Sequence, residues 1–559
     1  MQSKTRVLLF LSGLLALVFL FSSPSGSMAQ AQVRGAELEK PRLVLLISVD
    51  QFRSDYLTRF HTAMTGGLAQ LASSGVVFSE AHHSHAVTST GPGHATLSTG
   101  AFPSRSGIVG NSWFEENGSV DVYCVEDENS PIVRSSKAAS LSKSSSGRSP
   151  RNLLVTGLAD WIKESDPESK AFSASRKDRA SVLMGGKNPD AAFWYDASTG
   201  RMVSSSYYMK QLPEWLGEFN REPYPLRYFG EFWKRSETDP TAAMGIEQVD
   251  RGWFPATFPY SMGGATFGPT SSFFSDFGGT PFMDDYLVEM AKQIVREEGL
   301  GLDDHTDYLG LSFSALDSVG HSFGPHSFEV FDTIVRLDAS LGELFRFLDE
   351  TVGMDRVWIA FSADHGVMDL PEVRRAHSQG GHRLTDEDIA CVQNRGQEFL
   401  VQYAAEEDWF LSGFYLNYAA LGRQNLLRST VEKDAARLLE SCDWIRKVWT
   451  KTELEQPSDD PFHELFRNSY HPERSPELLV QTEEYVLTSR GTGTSHGTPY
   501  SYDTHVPMVY LIPGIAAGGI SERVHTVDVA PTIGSLLGLS LPSTVDGRDL
   551  SGHLRKSSD

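Results

Sequence analysis

Two kinds of pattern alternate along the chain. Short, nearly continuous apolar runs occur at 42–49, 76–78, 170–175, 308–316, 356–362 and 506–512. Such runs suit strands buried on both faces of a sheet. Between them, apolar residues recur with helical spacing at 54–74, 153–164, 283–298, 327–351 and 527–537. Strands alternating with helices predict an α/β fold: a large mixed, mostly parallel sheet flanked by helices on both faces. Ligands of such sheets gather at the carboxyl ends of the strands. Asp50, Asp317 and Asp364 stand at the ends of three of the apolar runs.

Other stretches break the alternation. Residues 134–150 are rich in Ser and Lys and predict a mobile surface loop, and 107–113 is a turn-rich loop. Residues 200–280 are rich in Tyr, Trp, Phe, Pro and Gly without sustained periodicity. They suit a covering lid or rim and packing against the main domain equally well. Residues 398–480 alternate strand (413–419) and helix (426–440) and read as an inserted α+β subdomain. The catalytic core is then expected at 40–397 and 481–555.

The N-terminus changes the picture of where the protein works. Lys4 and Arg6 precede a 15-residue, mostly apolar run at 7–21, then small residues ending in Ala29-Gln30-Ala31. That is the layout of a secretory signal, expected at 1–31, so the protein is expected in the periplasm or outside the cell. No second apolar stretch suggests a membrane span after cleavage. The formal net charge of −23 disfavours nucleic acid or an anionic membrane as partner. Three cysteines, Cys124, Cys391 and Cys442, allow one pair with one left over, and the sequence does not say which. A monomer is expected.

The candidate chemistry centres on Val87-Thr88-Ser89-Thr90-Gly91-Pro92-Gly93-His94. Thr90 is expected at the cap of a helix whose later part, 96–99, stops at Gly100. A hydroxyl there faces free backbone N–H groups and the positive end of the helix, a good seat for phosphate. Ordinary helices are capped the same way, so the stretch alone proves little. Asp50, Asp317 with His321, Asp364 with His365, and His496 in a Gly- and Thr-rich loop add three carboxylates and three imidazoles. Such a set suits two Zn2+ ions, each with three protein ligands and an open position. With those ligands supplied, His82, His83, His85, His94, His377 and His382 are read as supporting or structural.

Val49-Asp50-Gln51, Thr90-Gly91-Pro92-Gly93-His94, Gly110-Asn111-Ser112-Trp113, Asp317-x-x-x-His321, Ala363-Asp364-His365-Gly366 and His496-Gly497 follow one another in the order seen in the alkaline phosphatase superfamily. The sequence most resembles the exported, phosphate-irrepressible alkaline phosphatases with a threonine nucleophile. The resemblance runs from about residue 42 to 550. It implies that Thr90 is the nucleophile, activated by a zinc held by Asp50, Asp364 and His365. Asp317, His321 and His496 would hold the zinc beside the leaving group, and Asn111 would donate to a phosphoryl oxygen.

Lys177-Asp178-Arg179 narrows the resemblance. Related nucleotide pyrophosphatase/phosphodiesterases share the zinc site, the Thr and the Asn, whereas the monoesterases add this Lys and Arg. A monoester carries more charge than a diester and gains more from an Arg fork and a Lys point charge. The expected activity is zinc-dependent hydrolysis of phosphate monoesters through a phosphothreonine. A phosphodiesterase on the same scaffold is the alternative, and a non-catalytic zinc-binding surface protein a more distant one. A sulfatase is disfavoured, since its Cys or Ser nucleophile motif with a following Pro and Arg is absent.

Overall fold

The apolar run at 43–49 becomes the middle of a ten-stranded sheet in the computed structural model. Described are residues 38–114, 120–135, 146–236, 258–263, 268–403, 414–417 and 426–556. The strands are β1 Leu43–Val49, β2 Val76–His82, β3 Ile132–Val133, β4 Ala171–Ser175, β5 Ala191–Asp196, β6 Arg201–Ser205, β7 Asp307–Phe313, β8 Val357–Ser362, β9 Met508–Leu511 and β10 Gly518–His525. Their order across the sheet is β10-β2-β9-β8-β1-β7-β4-β5-β6-β3. Only β6 and β9 run against the rest. Ser48 of β1 lies level with Ser312 of β7 and Ser362 of β8, so the carboxyl ends of the central strands are aligned.

Every residue of β1, β7 and β8 is buried, because helices cover both faces. On one face Leu45, Ile47, Leu309 and Leu311 pack with Ile294 of the Phe282–Glu298 helix and Leu341 of the Phe328–Thr351 helix. On the other, Ala192 and Trp194 of β5 meet Val182 and Leu183 of the Asp178–Gly185 helix and Ala95 of the Thr90–Thr99 helix. A parallel sheet clothed on both sides has no alternating polar face, which is why its strands read as continuous apolar runs.

Several expected elements are corrected. The helix expected over 54–74 is broken into Tyr56–Arg59, a short 3-10 turn at His61–Ala63, and Gly67–Ser74. The Asp338 carboxylate accepts from the backbone N–H groups of Thr65, Gly66 and Ala69 at 2.7, 2.6 and 3.0 Å, starting the second helix afresh. A Cβ on Gly66 would stand 2.2 Å from the Asp338 carbonyl oxygen, so only glycine lets the two segments approach. The helix expected over 153–164 spans Leu158–Ser165 and begins where the Asp160 carboxylate accepts from the Gly157 N–H at 2.8 Å. The strand expected over 308–316 ends at Phe313, and Ala315–Phe323 is helical. Asp317 therefore lies in a first helical turn rather than at a strand end.

The described part of 200–280 packs against the main domain. Residues 201–205 form β6, and Trp233, Phe273 and Phe277 are buried in the main core. Tyr224 stacks on Tyr286 at 4.6 Å. Residues 237–257 and 264–267 of that stretch lie outside the described residues, as do 136–145 of the Ser- and Lys-rich loop and the signal at 1–31. Between 386 and 482, the Asp386–Gln402 and Arg428–Leu439 helices pack near an antiparallel pair, Ile445–Thr450 with Leu478–Thr482. They share an apolar cluster that includes Val431, Leu439, Ile445 and Val448. Of the expected strand at 413–419, residues 414–417 are described and do not form one. Cys391 and Cys442 form a disulfide, and Cys124 is free and buried. Among the described residues, no helix is long and apolar enough to cross a membrane.

Candidate active site

Four neighbouring strands of the sheet deliver charged groups to one edge. β8 leads to Asp364 and His365, β1 to Asp50, β7 to Asp317 and His321, and β4 to Lys177 and Arg179. Parallel strands place all their carboxyl ends on the same side, so residues far apart in sequence converge there.

Thr90 lies in the segment that follows β2. Its helix, Thr90–Thr99, is buried throughout, and the cap is Ser89, in extended conformation, not Thr90 as expected. Thr90 is the first helical residue, with its hydroxyl 3.3 Å from Lys177 Nζ and 3.3 Å from Arg179 Nη2. The Gly91 N–H donates to Asn111 Oδ1 at 2.7 Å, which fixes that end of the amide as oxygen and leaves its N–H donors for a ligand. His94 lies between the Thr90 carbonyl, at 2.8 Å from Nδ1, and Asp364 Oδ2, at 3.2 Å, while Nε2 meets Ser312 Oγ at 2.7 Å. It ties the start of the helix to the carboxylate cluster. A Cβ on Gly93 would come within 2.2 Å of the Asp364 carbonyl oxygen, so glycine sets how closely the helix approaches.

The three imidazoles share one arrangement. Nδ1 of His321 faces the Thr494 carbonyl at 2.8 Å, that of His496 the Thr88 carbonyl at 2.7 Å, and that of His365 the Gly366 carbonyl at 2.9 Å. A ring nitrogen bonded to a carbonyl must carry a proton, so in the neutral ring each Nε2 is left with its lone pair turned inward. His321 Nε2 is 3.1 Å and His496 Nε2 3.8 Å from Asp317 Oδ1. His365 Nε2 is 3.3 Å from Asp50 Oδ1 and 3.4 Å from Asp364 Oδ2. The helix beginning at Ala315 puts Asp317 and His321 on one face, at i and i+4.

Lone pairs facing carboxylate oxygens repel unless a proton or a metal cation lies between them, and Asp317 raises the His321 pKa against the effect of burial. Asp50 Oδ1, Asp364 Oδ2 and His365 Nε2 are buried without a hydrogen-bond partner among the described residues. Burial lowers the His365 pKa against the pull of Asp364, and burial with neighbouring His365 and His321 holds His496 well below the usual imidazole range. Burial, together with Asp317 and Asp364, raises the Asp50 carboxyl well above its usual range. Burial alone would raise Asp317 as well, but Lys177 and His321 hold it well below. Among the described residues Lys177 is the one side-chain ammonium in the cluster; it pairs with Asp50 and, at 2.7 Å, with Asp317. These residues fit divalent cations: oxygen and neutral imidazole donors, Nδ1 anchored behind each ring, and buried acceptors left over.

At this edge of the sheet, two groups of described residues have ligand atoms within 4.8 Å of one another: Asp317, His321 and His496, and Asp50, Asp317 and His365. The first is the expected leaving-group set. The second differs from the expected Asp50, Asp364 and His365 in drawing on Asp317, while Asp364 stays in contact through His365 Nε2 and His94. Two residues the sequence did not assign take part. Gln51, at a positive φ of 69°, donates its backbone N–H to Asp364 at 3.2 Å and its amide to Asp317 at 3.0 Å. A Cβ on Gly320 would fall 1.8 Å from Gln51 Oε1, so that glycine makes room for it. Gln51 stood in the quoted motif, but nothing in the sequence assigned it a role. His94, read as supporting or structural, bridges Thr90 and Asp364.

The chain is a member of the alkaline phosphatase superfamily. The chain belongs to the type I phosphodiesterase / nucleotide pyrophosphatase family, whose profile it matches over residues 44–499. It is 30% identical to alkaline phosphatase PhoV of Synechococcus elongatus, over 97% of this chain and 99% of that protein. It is also 30% identical to alkaline phosphatase PafA of Elizabethkingia meningoseptica, over 92% of this chain and 94% of that protein. The crystal structure of wild-type PafA superposes with a TM-score of 0.81 at 29% identity, covering 92% of this chain and 99% of that one.

Proposed function

We propose that the protein is a zinc-dependent phosphomonoesterase of alkaline phosphatase type that works through a phosphothreonine at Thr90. The observation that carries this reading is the Thr90 hydroxyl with Lys177 Nζ and Arg179 Nη2 each 3.3 Å away, beside the carboxylate–imidazole cluster. The full-length similarity to proteins named alkaline phosphatase supports it. Two Zn2+, held by Asp317, His321 and His496 and by Asp50, Asp364 and His365, would supply Lewis-acid charge toward the Thr90 hydroxyl and the leaving oxygen.

The residues of the chain do the rest. The Thr90 oxygen attacks phosphorus in line as the ester P–O bond breaks; the ester oxygen leaves with the bonding pair, and the proton given up by Thr90 ends, by way of solvent, on the departing alcohol. Water then attacks the phosphothreonine from the vacated side, releasing phosphate and returning the hydroxyl. Asn111, Lys177 and Arg179 meet the non-bridging oxygens, where fixed donors count most as charge spreads. Tyr123 and Asp178 steer the arginine: Arg179 Nη1 donates to Tyr123 Oη at 3.3 Å, and that hydroxyl donates to Asp178 at 2.5 Å.

The family profile is named for diester and pyrophosphate cleavage. Lys177 and Arg179 favour the monoester, whose extra charge a diester lacks. The basic, apolar start of the sequence and the Cys391–Cys442 disulfide support an exported protein. Phosphate release from an aryl phosphate and from an aryl diester, with and without chelator, tests the reading. It stands on chelator-sensitive release that favours the monoester, and falls if the diester is the better substrate.

A further inference from the structure

A cleft of about 700 Å3 is lined by Lys177 and Asp317 of the site and by Arg176, Trp194, Tyr195 and Ser198. Its acidic walls are already answered by cations. Asp196 pairs with Arg134 at 2.9 Å, and Asp178 with Arg148 at 2.5 Å. Lys177 pairs with Asp50 and Asp317, and Arg179 leans on Tyr123 and Thr90.

Arg176 differs from all of these. Among the described residues it forms no ion pair; its Nη1 donates to the Ser318 hydroxyl at 2.6 Å. A guanidinium has five N–H donors, and one neutral hydroxyl leaves most of them unused. The side chain is nonetheless held in place. A Cβ on Gly278 would lie 2.9 Å from Arg176 Nε and 3.4 Å from the Tyr195 ring. Gly278 has a φ of −59°, a conformation open to any residue, so its backbone does not require glycine. What glycine provides there is room for the guanidinium. Ser318, which orients the other end, follows Asp317 directly, so Arg176 is fixed to the turn that carries a metal-ligand candidate.

We propose that Arg176, seated between Gly278 and Ser318, is an anion subsite selecting phosphate monoesters whose leaving group carries a second anionic group, a phosphate or a carboxylate. The inference rests on the phosphomonoesterase reading. With the reacting phosphoryl group at Thr90, a leaving group that follows the cleft past Asp317 brings its far end to the unused guanidinium donors. A planar fork suits either oxyanion.

The test compares a hexose bisphosphate with the corresponding hexose monophosphate, and a carboxyphenyl phosphate with phenyl phosphate, in the zinc-loaded full chain. Arg176→Gln is expected to lower kcat/KM about tenfold on the doubly anionic member of at least one pair, and less than about twofold on its partner. The bisphosphate arm and the carboxylate arm say which anion the subsite takes. Gly278→Ala, which pushes the guanidinium aside, is expected to give the same selective loss with an intact melting transition. Arg176→Lys keeps the charge and is expected to recover part of the preference. Equal losses on both members of both pairs, or no loss, would overturn the subsite. If the wild-type chain fails on phenyl phosphate itself, the phosphomonoesterase reading fails instead.

Discussion

Lys177 Nζ lies 3.3 Å from the Thr90 hydroxyl and 2.7 Å from Asp317 Oδ2, joining the candidate nucleophile to a carboxylate of the cluster. One ammonium thus serves both the reacting oxygen and the acidic group behind it. Arg179 approaches Thr90 at the same distance without touching the carboxylates. Lys177→Ala and Arg179→Ala should each cost about 10- to 100-fold in kcat/KM on aryl phosphate, the loss of one charge-assisted contact. The loss on an aryl diester should be smaller. Steady-state kinetics on both substrates measure the difference, and equal losses would remove the argument for a monoester.

Thr90→Ala should reduce turnover by more than about 1,000-fold, since the attacking oxygen itself is removed. Zinc content by elemental analysis should remain, because the carboxylates and imidazoles are untouched. Full activity in this variant would reject the nucleophile.

Chelation should abolish activity, and added Zn2+ should restore it. The melting temperature should fall by several degrees at the same time. Asp50, Asp317 and Asp364 would then face one another with Lys177 as the main counter-charge. Calorimetry with and without chelator reads that shift, and an unchanged transition would argue against ions in the cluster.

Gly93→Ala should weaken both zinc retention and activity by about 10- to 100-fold, as changes behind metal ligands do. Its new methyl would lie 2.2 Å from the Asp364 carbonyl oxygen and 2.7 Å from Asp364 Cβ. Gly91→Ala meets the Gly110 carbonyl at 3.1 Å and should be milder. The paired variants, assayed for bound zinc and turnover, separate close packing on Asp364 from a general helix effect.

Burial lifts the Asp503 carboxyl to about 7, although its Oδ2 accepts from the Thr498 N–H and hydroxyl at 2.9 and 2.7 Å. Its pKa is raised on folding, so the folded protein holds a proton that the unfolded chain releases. Its contribution is fully present below about pH 4 and is lost as pH rises to about 7. Asp503→Asn, whose carbonyl can still accept from Thr498, should flatten that fall by up to about 4 kcal/mol. Denaturant unfolding between pH 4 and 9 checks it; an unchanged slope would place the dependence elsewhere.

Much of the site was legible because its groups sit next to strong local patterns. Asp50 directly follows β1 and Asp364 stands just beyond Ala363 after β8, so apolar runs with charged ends located them. Lys177 and Arg179 follow β4 in the same way. Less legible was anything decided by close approach. The broken helix before Gly67 depends on Asp338, more than 270 residues away, accepting its first N–H groups. The cap moved from Thr90 to Ser89 because Ser89 keeps extended backbone and its carbonyl accepts from the Gly93 N–H at 2.9 Å. Gln51, Arg176 and His94 acquire partners only through contacts that no spacing announces.

By itself the sequence determined the sheet class, the Thr90 stretch and the six ligand candidates, because apolar periodicity and residue chemistry are local properties of the chain. The tertiary structure decided which lone pairs meet. Three imidazoles are turned inward by the carbonyls of Thr494, Thr88 and Gly366, and Asp317 is shared between two ligand groups. Hydrogen bonds form between segments only when folding brings them together, so their partners cannot be read from either segment alone.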